Sequence, residues 1–230
     1  MKQNQSGFTL IEIAIVLVII GLLLGGVLKG QELINSAKVK NLATDFKNIP
    51  VFIYGYQDKF RSLPGDDSAV ATHLGATATK ATTPTSSGGV ACTSSDCTGN
   101  GVIDGLWKPT AATDETAVFW QHVRLANLAP GSTNPDISVN NTYFPTNAVG
   151  GKIGITSAAA GPITGMRGSY IVCSDAIAGK FARQLDTTLD DGVTSSGSVQ
   201  VIAGGTTTPG AALTLTPAND DTPYLVCMGF

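Results

Sequence analysis

Hydrophobic positions change character along this chain. From residue 8 to 28 they are continuous: the stretch FTLIEIAIVLVIIGLLLGGVL carries one charged residue, Glu12. At ~1.5 Å per residue, a helix of that length matches the apolar thickness of a bilayer. From Val39 the pattern becomes periodic. Val39, Leu42, Phe46, Ile49, Ile53, Tyr56 and Phe60 recur in steps of three and four, with Lys40, Asp45, Lys47 and Asp58 between them. That spacing marks one apolar face of a helix. A single helix from residue 8 to about 61 is therefore expected. Pro50, which lacks an N–H and whose ring crowds the preceding turn, predicts a kink nearby. The run Leu63-Pro64-Gly65-Asp66-Asp67 concentrates helix breakers and should end the element.

Beyond residue 75 the helical pattern gives way. Residues 75–100 are dense in Ala, Thr, Ser and Gly and read as a long surface loop. Asp114-Glu115 opens an amphipathic segment, a helix over 116–128 stopped by Pro130-Gly131, with Phe119, Val123, Ala126 and one face of Trp120 toward the core. Short strand-like runs follow at 152–156, 169–173, 198–202, 212–215 and 224–228, interrupted by a short helix at 176–185. The expected fold class is α+β: a long N-terminal helix, its first half suited to a membrane, packed on a C-terminal head with an antiparallel sheet.

Composition narrows the function. Only 13% of residues are charged, with 14 Lys and Arg against 17 Asp and Glu, so the net charge is −3. A broad basic surface for nucleic acid is not expected, and Arg167, Lys180 and Arg183 hardly form a stripe. The two histidines, His73 and His122, come with no nucleophile-elbow motif, and no HExxH, paired CxxC or phosphate-binding glycine loop is present. The expectation is a non-enzymatic chain without a cofactor, with His122 a surface or satisfied core histidine.

The N-terminal segment admits competing readings. A secretory signal peptide should start basic and end at a small-residue cleavage site, but only Lys2 precedes the apolar run and Val27-Leu28-Lys29-Gly30 follows it. A plain anchor leaves Glu12 unexplained, because a carboxylate in an apolar span costs ~2–3 kcal/mol or more unless it gains a partner or a proton. The run Ser6-Gly7-Phe8-Thr9-Leu10-Ile11-Glu12 closely resembles the processing site of type IV prepilins and type II secretion pseudopilins. That resemblance implies a leader at 1–7, cleavage by prepilin peptidase between Gly7 and Phe8, N-methylation of Phe8, and a role for Glu12 in subunit assembly. It also implies a ladle-like layout: residues 8–28 form the transmembrane segment and filament core, the helix continues to 62, and 63–230 form the head. The implied partners are other copies in a helical filament, the inner membrane before assembly, and a pilus or secretion assembly platform. Alternatives within it are a secretion pseudopilin and a minor pilin acting as an adhesin or DNA-uptake module.

This chain departs from that family where many members carry a proline and it has Lys29. The positive-inside rule does not supply the implied orientation, since Lys29, Lys38 and Lys40 outnumber Lys2. Gly21, Gly25 and Gly26 fit either close helix approach or the ordinary frequency of glycine in membrane helices. The pieces RSLPGDD, FWQHVRLANL and GKFARQLDTTLDDG, with a cysteine near the C-terminus, resemble one branch with this N-terminus without naming a ligand.

An even number of cysteines in an exported chain suggests two disulfides. Cys92 and Cys97 bracket a short polar loop, and Cys173 and Cys227, each after an apolar run, should join adjacent strands or tie the C-terminal strand to the sheet. Acidic groups raise one metal question. Asp96, Asn100 and Asp104, then Asp186, Asp190 and Asp191 before Gly192, and finally Asp220 and Asp221 offer oxygen ligands suited to calcium. None has EF-hand spacing, and solvated turn residues are the competing reading. The Asp186–Gly192 group is the best calcium candidate.

Overall fold

A computed structural model describes residues 10–82, 98–137 and 142–230. The chain divides into two compact units, one ending at Lys38 and the other spanning Val39–Phe230. A single helix, α1 (Leu10–Phe60), contributes to both and stays helical through Pro50.

In the second unit, the expected periodic face of α1 is buried: Leu42, Phe46, Ile49, Ile53 and Tyr56 are at most 2% exposed. Burial of each such side chain contributes ~1.5–3 kcal/mol. Phe60 ends the helix, and Arg61 turns the backbone into the left-handed region at φ 57°. A short helix, α2 (Val70–Leu74), follows, and α3 (Glu115–Leu125) comes later. The sheet has four antiparallel strands in the order β1 (Ile153–Ser157), β2 (Tyr170–Ala178), β4 (Pro223–Gly229), β3 (Val199–Ala203). Helix α4 (Gly179–Leu189) links β2 to β3.

Because strand side chains alternate faces, the sheet is buried on both sides. Ile153, Ile155, Val172, Val199, Val201 and Val226 share a core with α1, with Phe119 and Val123 of α3, and with Phe181 and Leu185 of α4. On the opposite face Ile171, Cys173, Ile202, Leu225 and Cys227 pack with Trp107, Ile163 and Met166. The loop carrying Trp107 is tied to the sheet region by hydrogen bonds from Thr156 Oγ1 to Gly105 O (2.6 Å) and from Trp107 Nε1 to Thr206 O (2.8 Å).

Two expected elements need correction. The run 176–185 does not begin as a helix; β2 continues through Ala178, and α4 starts at Gly179. The cause is a bulge: pairing with β4 shifts between Ser174 and Ile177, and Ala176 takes φ 58°, so an extra residue sits in the strand without ending it. The run 212–215 forms no strand. Leu213 donates one backbone hydrogen bond to Val201 O (2.7 Å), and Leu215 donates to the Thr194 hydroxyl (2.8 Å).

Candidate functional site

The first unit offers one surface. Among the described residues, α1 is the only helix long and apolar enough to cross a membrane, and none of its most apolar 18-residue window is buried. Leu10, Leu17, Leu22, Leu23 and Leu28 are each more than 60% exposed. Glu12 is exposed within this surface. Gly21, Gly25 and Gly26 have open space where a side chain would stand, so a neighbouring helix can approach there without displacing anything in this chain. Lys29 pairs with Glu32 at 2.6 Å, one turn along the exposed helix. Gly7 and Phe8, the expected cleavage and methylation positions, lie outside the described residues.

In the head, the breakers after α1 build a polar hub that sequence reasoning did not foresee. Gly65 has φ 95°, and a Cβ there would lie 2.6 Å from the Glu115 carbonyl oxygen, so this turn requires glycine. Its N–H donates to His122 Nδ1 (2.9 Å), while His122 Nε2 lies 2.9 Å from Thr79 O. With Nδ1 accepting and Nε2 donating, the ring is neutral, in keeping with burial lowering the His122 pKa. His122 is thus a satisfied core histidine. Asp66 accepts backbone N–H groups from Gly99, Asn100 (3.2 Å) and Gly101 (2.7 Å), anchoring that loop. Asp67 accepts from the Tyr56 hydroxyl (2.7 Å) and the Ala69 N–H (2.9 Å) and pairs with His73 Nδ1 (2.7 Å). Burial opposes its ionisation, but bonds from His73, Tyr56 and Ala69 outweigh it and hold the carboxyl below its usual range.

Glu115 is the costly member. It is fully buried at the start of α3; Oε2 accepts the Asp104 N–H (2.7 Å), and Oε1 has no hydrogen-bond partner. Burial, with the charges of Asp66, Asp104 and Asp114, pushes it from 4.5 up to about 9. The sign follows directly. Between those two values the folded chain keeps a proton that the unfolded chain releases, so stability falls as pH rises through the window. At ~1.4 kcal/mol per pH unit the loss approaches ~3 kcal/mol by pH 7. Glu115→Gln keeps the acceptor without the charge. Thermal melts should therefore coincide with wild type near pH 4.5, and the variant should melt several degrees higher at pH 8; equal melts at pH 8 would refute this account.

The remaining expected positions divide. Cys173 and Cys227 form a disulfide between directly paired residues of β2 and β4, with Cα atoms 4.1 Å apart. Cys92 and Cys97 lie outside the described residues. Asp186, Asp190 and Asp191 converge at the end of α4, with one ligand oxygen from each within 4.8 Å of the others. Asp220 accepts Arg183 (2.6 Å) and Asp221 pairs with Lys180 (3.5 Å), so those acids hold helix cations instead. Asp104 joins the hub, where it accepts from Asn100 Nδ2 (2.8 Å). A signal for the hub was present in the LPGDD run, but its partners lie far along the chain.

No curated protein and no solved structure matches this chain. Residues 2–28 match the family described as the prokaryotic N-terminal methylation motif. Glu12 and the exposed apolar surface of α1 stand within or directly after that match, and the chain therefore carries the prepilin motif of type IV pilins and pseudopilins.

Proposed function

We propose that this protein is a structural subunit of a type IV pilus or pilus-like filament. It is made as an inner-membrane precursor, cut by prepilin peptidase between Gly7 and Phe8, methylated on Phe8, and assembled through α1. One observation carries this reading most directly: the prepilin motif runs straight into a helix whose most apolar window is left unburied by the described residues. Such a surface is stable in lipid before assembly and against other copies of the same helix afterwards.

In the filament the new amine of Phe8 is a cation in apolar surroundings, and Glu12 of a neighbouring copy is its counter-charge. Pairing them compensates two groups that are each expensive alone, and it selects one axial stagger between subunits. The long Ser/Thr/Gly-rich segment of the head suits an exposed filament surface, which favours a pilin over a secretion pseudopilin.

Intact-mass spectrometry of the membrane-extracted protein tests the processing. The expected chain begins at Phe8 with one added methyl group, and a chain beginning at Met1 sinks the proposal. Electron microscopy of producing cells should show surface fibres containing this subunit. Loss of protein export on deletion, with no fibres in the parent, would assign the pseudopilin role instead.

A further inference from the structure

The carboxylates at the end of α4 present a problem that the filament reading does not solve. Asp186 is fully buried, and neither of its carboxylate oxygens has a hydrogen-bond partner. Asp190 and Asp191 bring two more carboxylates to the same point. Among the described residues no Lys, Arg or His pairs with any of the three; Arg183 and Lys180 of the same helix are turned to Asp220 and Asp221. The C-terminal end of a helix carries partial negative charge, so the backbone adds to the repulsion. A buried carboxylate without partner or counter-charge is strongly unfavourable. A proton on Asp186 would reduce that cost but leave both oxygens without partners.

The flanking acids are held in place. Asp190 Oδ2 accepts the Val199 N–H at the start of β3 (2.9 Å). Asp191 accepts the Val193 N–H (2.8 Å) and the Ser196 hydroxyl (3.1 Å). Gly197, at φ 77°, lets the loop close over Asp190, whose carboxylate occupies the space a Cβ would need. Burial grades outward from Asp186 through Asp190 to exposed Asp191, so the cluster is a lined entry from solvent to an unsatisfied pair of oxygens.

We propose that Asp186, Asp190 and Asp191 bind a hard divalent cation of the calcium class, which ties the end of α4 to the loop leading into β3. Calcium takes six to eight oxygens in flexible geometry, so three carboxylates with water completing the shell are suitable donors. The all-oxygen set excludes a soft-metal preference. Residues from α4 and the following loop meet at the ion, so binding stabilises the folded head and not the unfolded chain. Nothing in this proposal depends on filament assembly.

The test uses the full-length protein in detergent, stripped with chelator and melted with and without 1 mM calcium chloride, ~1 mM being suited to the weaker extracellular sites. Wild type should melt ~3–6 °C higher with calcium. Asp186→Asn should lose the shift. Asp191→Asn changes only an exposed side chain, so it should fold normally, bind ~10-fold more weakly and keep a shift of about 1 °C. Magnesium, which demands tighter octahedral geometry, should act less than calcium. No calcium shift in wild type, or an undiminished shift in Asp191→Asn, overturns the site. An equal response to magnesium overturns the calcium assignment.

Discussion

Cells producing Glu12→Ala should make and process the protein normally but assemble few or no filaments. The substitution removes the only charge between residues 8 and 28, so the helix becomes more apolar and its insertion in the membrane does not suffer. In the proposed filament, what is lost is the counter-charge for the Phe8 amine of a neighbouring copy. Breaking a buried pair by removing one partner costs ~3–5 kcal/mol, because the other charge is left uncompensated. Even ~3 kcal/mol lowers each subunit addition by more than ~100-fold. Glu12→Gln should fail similarly, since an amide fits the space but cannot neutralise an ammonium. Imaging together with mass spectrometry of the mature N-terminus separates assembly from processing. Abundant filaments from Glu12→Ala would remove the electrostatic account of assembly.

Loss of the Cys173–Cys227 bond should be the largest single blow to the head. The bond joins residues 54 apart in sequence, and closing a loop of that size stabilises by ~4 kcal/mol in the chain-entropy model. Both sulfurs are buried against the core that contains Trp107, Ile163 and Met166, so removing them also leaves small cavities. For a domain of this size each kcal/mol moves the melting temperature by ~2–4 °C. The Cys173→Ala/Cys227→Ala variant should thus melt ~8–16 °C below wild type in an oxidising buffer. Most of the gap should close when both are melted after full reduction. A variant within about 2 °C of oxidised wild type would show that strand pairing and the surrounding core suffice without the bond.

Local pattern made much of this molecule legible, and long-range placement accounts for the rest. The steps of three and four from Val39 to Phe60 identified the helical face that the head buries, because periodicity reports directly on which side of a helix meets a core. Pairing of Cys173 with Cys227 followed from each closing an apolar run. The length of β2 did not follow, because one residue in a left-handed conformation at Ala176 breaks the alternation without breaking the strand. At 212–215 the alternation was there but the ladder was not. Glu115 looked like an ordinary acid opening a helix. Its burial depends on the 63–67 turn and the 99–104 loop closing over it, and no local window contains all three. For Asp186 the clustered carboxylates before Gly192 suggested a cation site, whereas the two unsatisfied oxygens that give the suggestion force emerged only from packing.

Strand order carries a consequence for how the head is made. β4 lies between β2 and β3, although it follows both in sequence. Until residues 223–229 have been added, β2 has only β1 to pair with, and β3 has no neighbour in the sheet. Both surround a gap that residues 223–229 must fill. The four-stranded sheet is thus completed only once residues 223–229 have joined β2 and β3. Oxidation of Cys173 onto Cys227 then acts as a latch, closing only after the last strand has arrived.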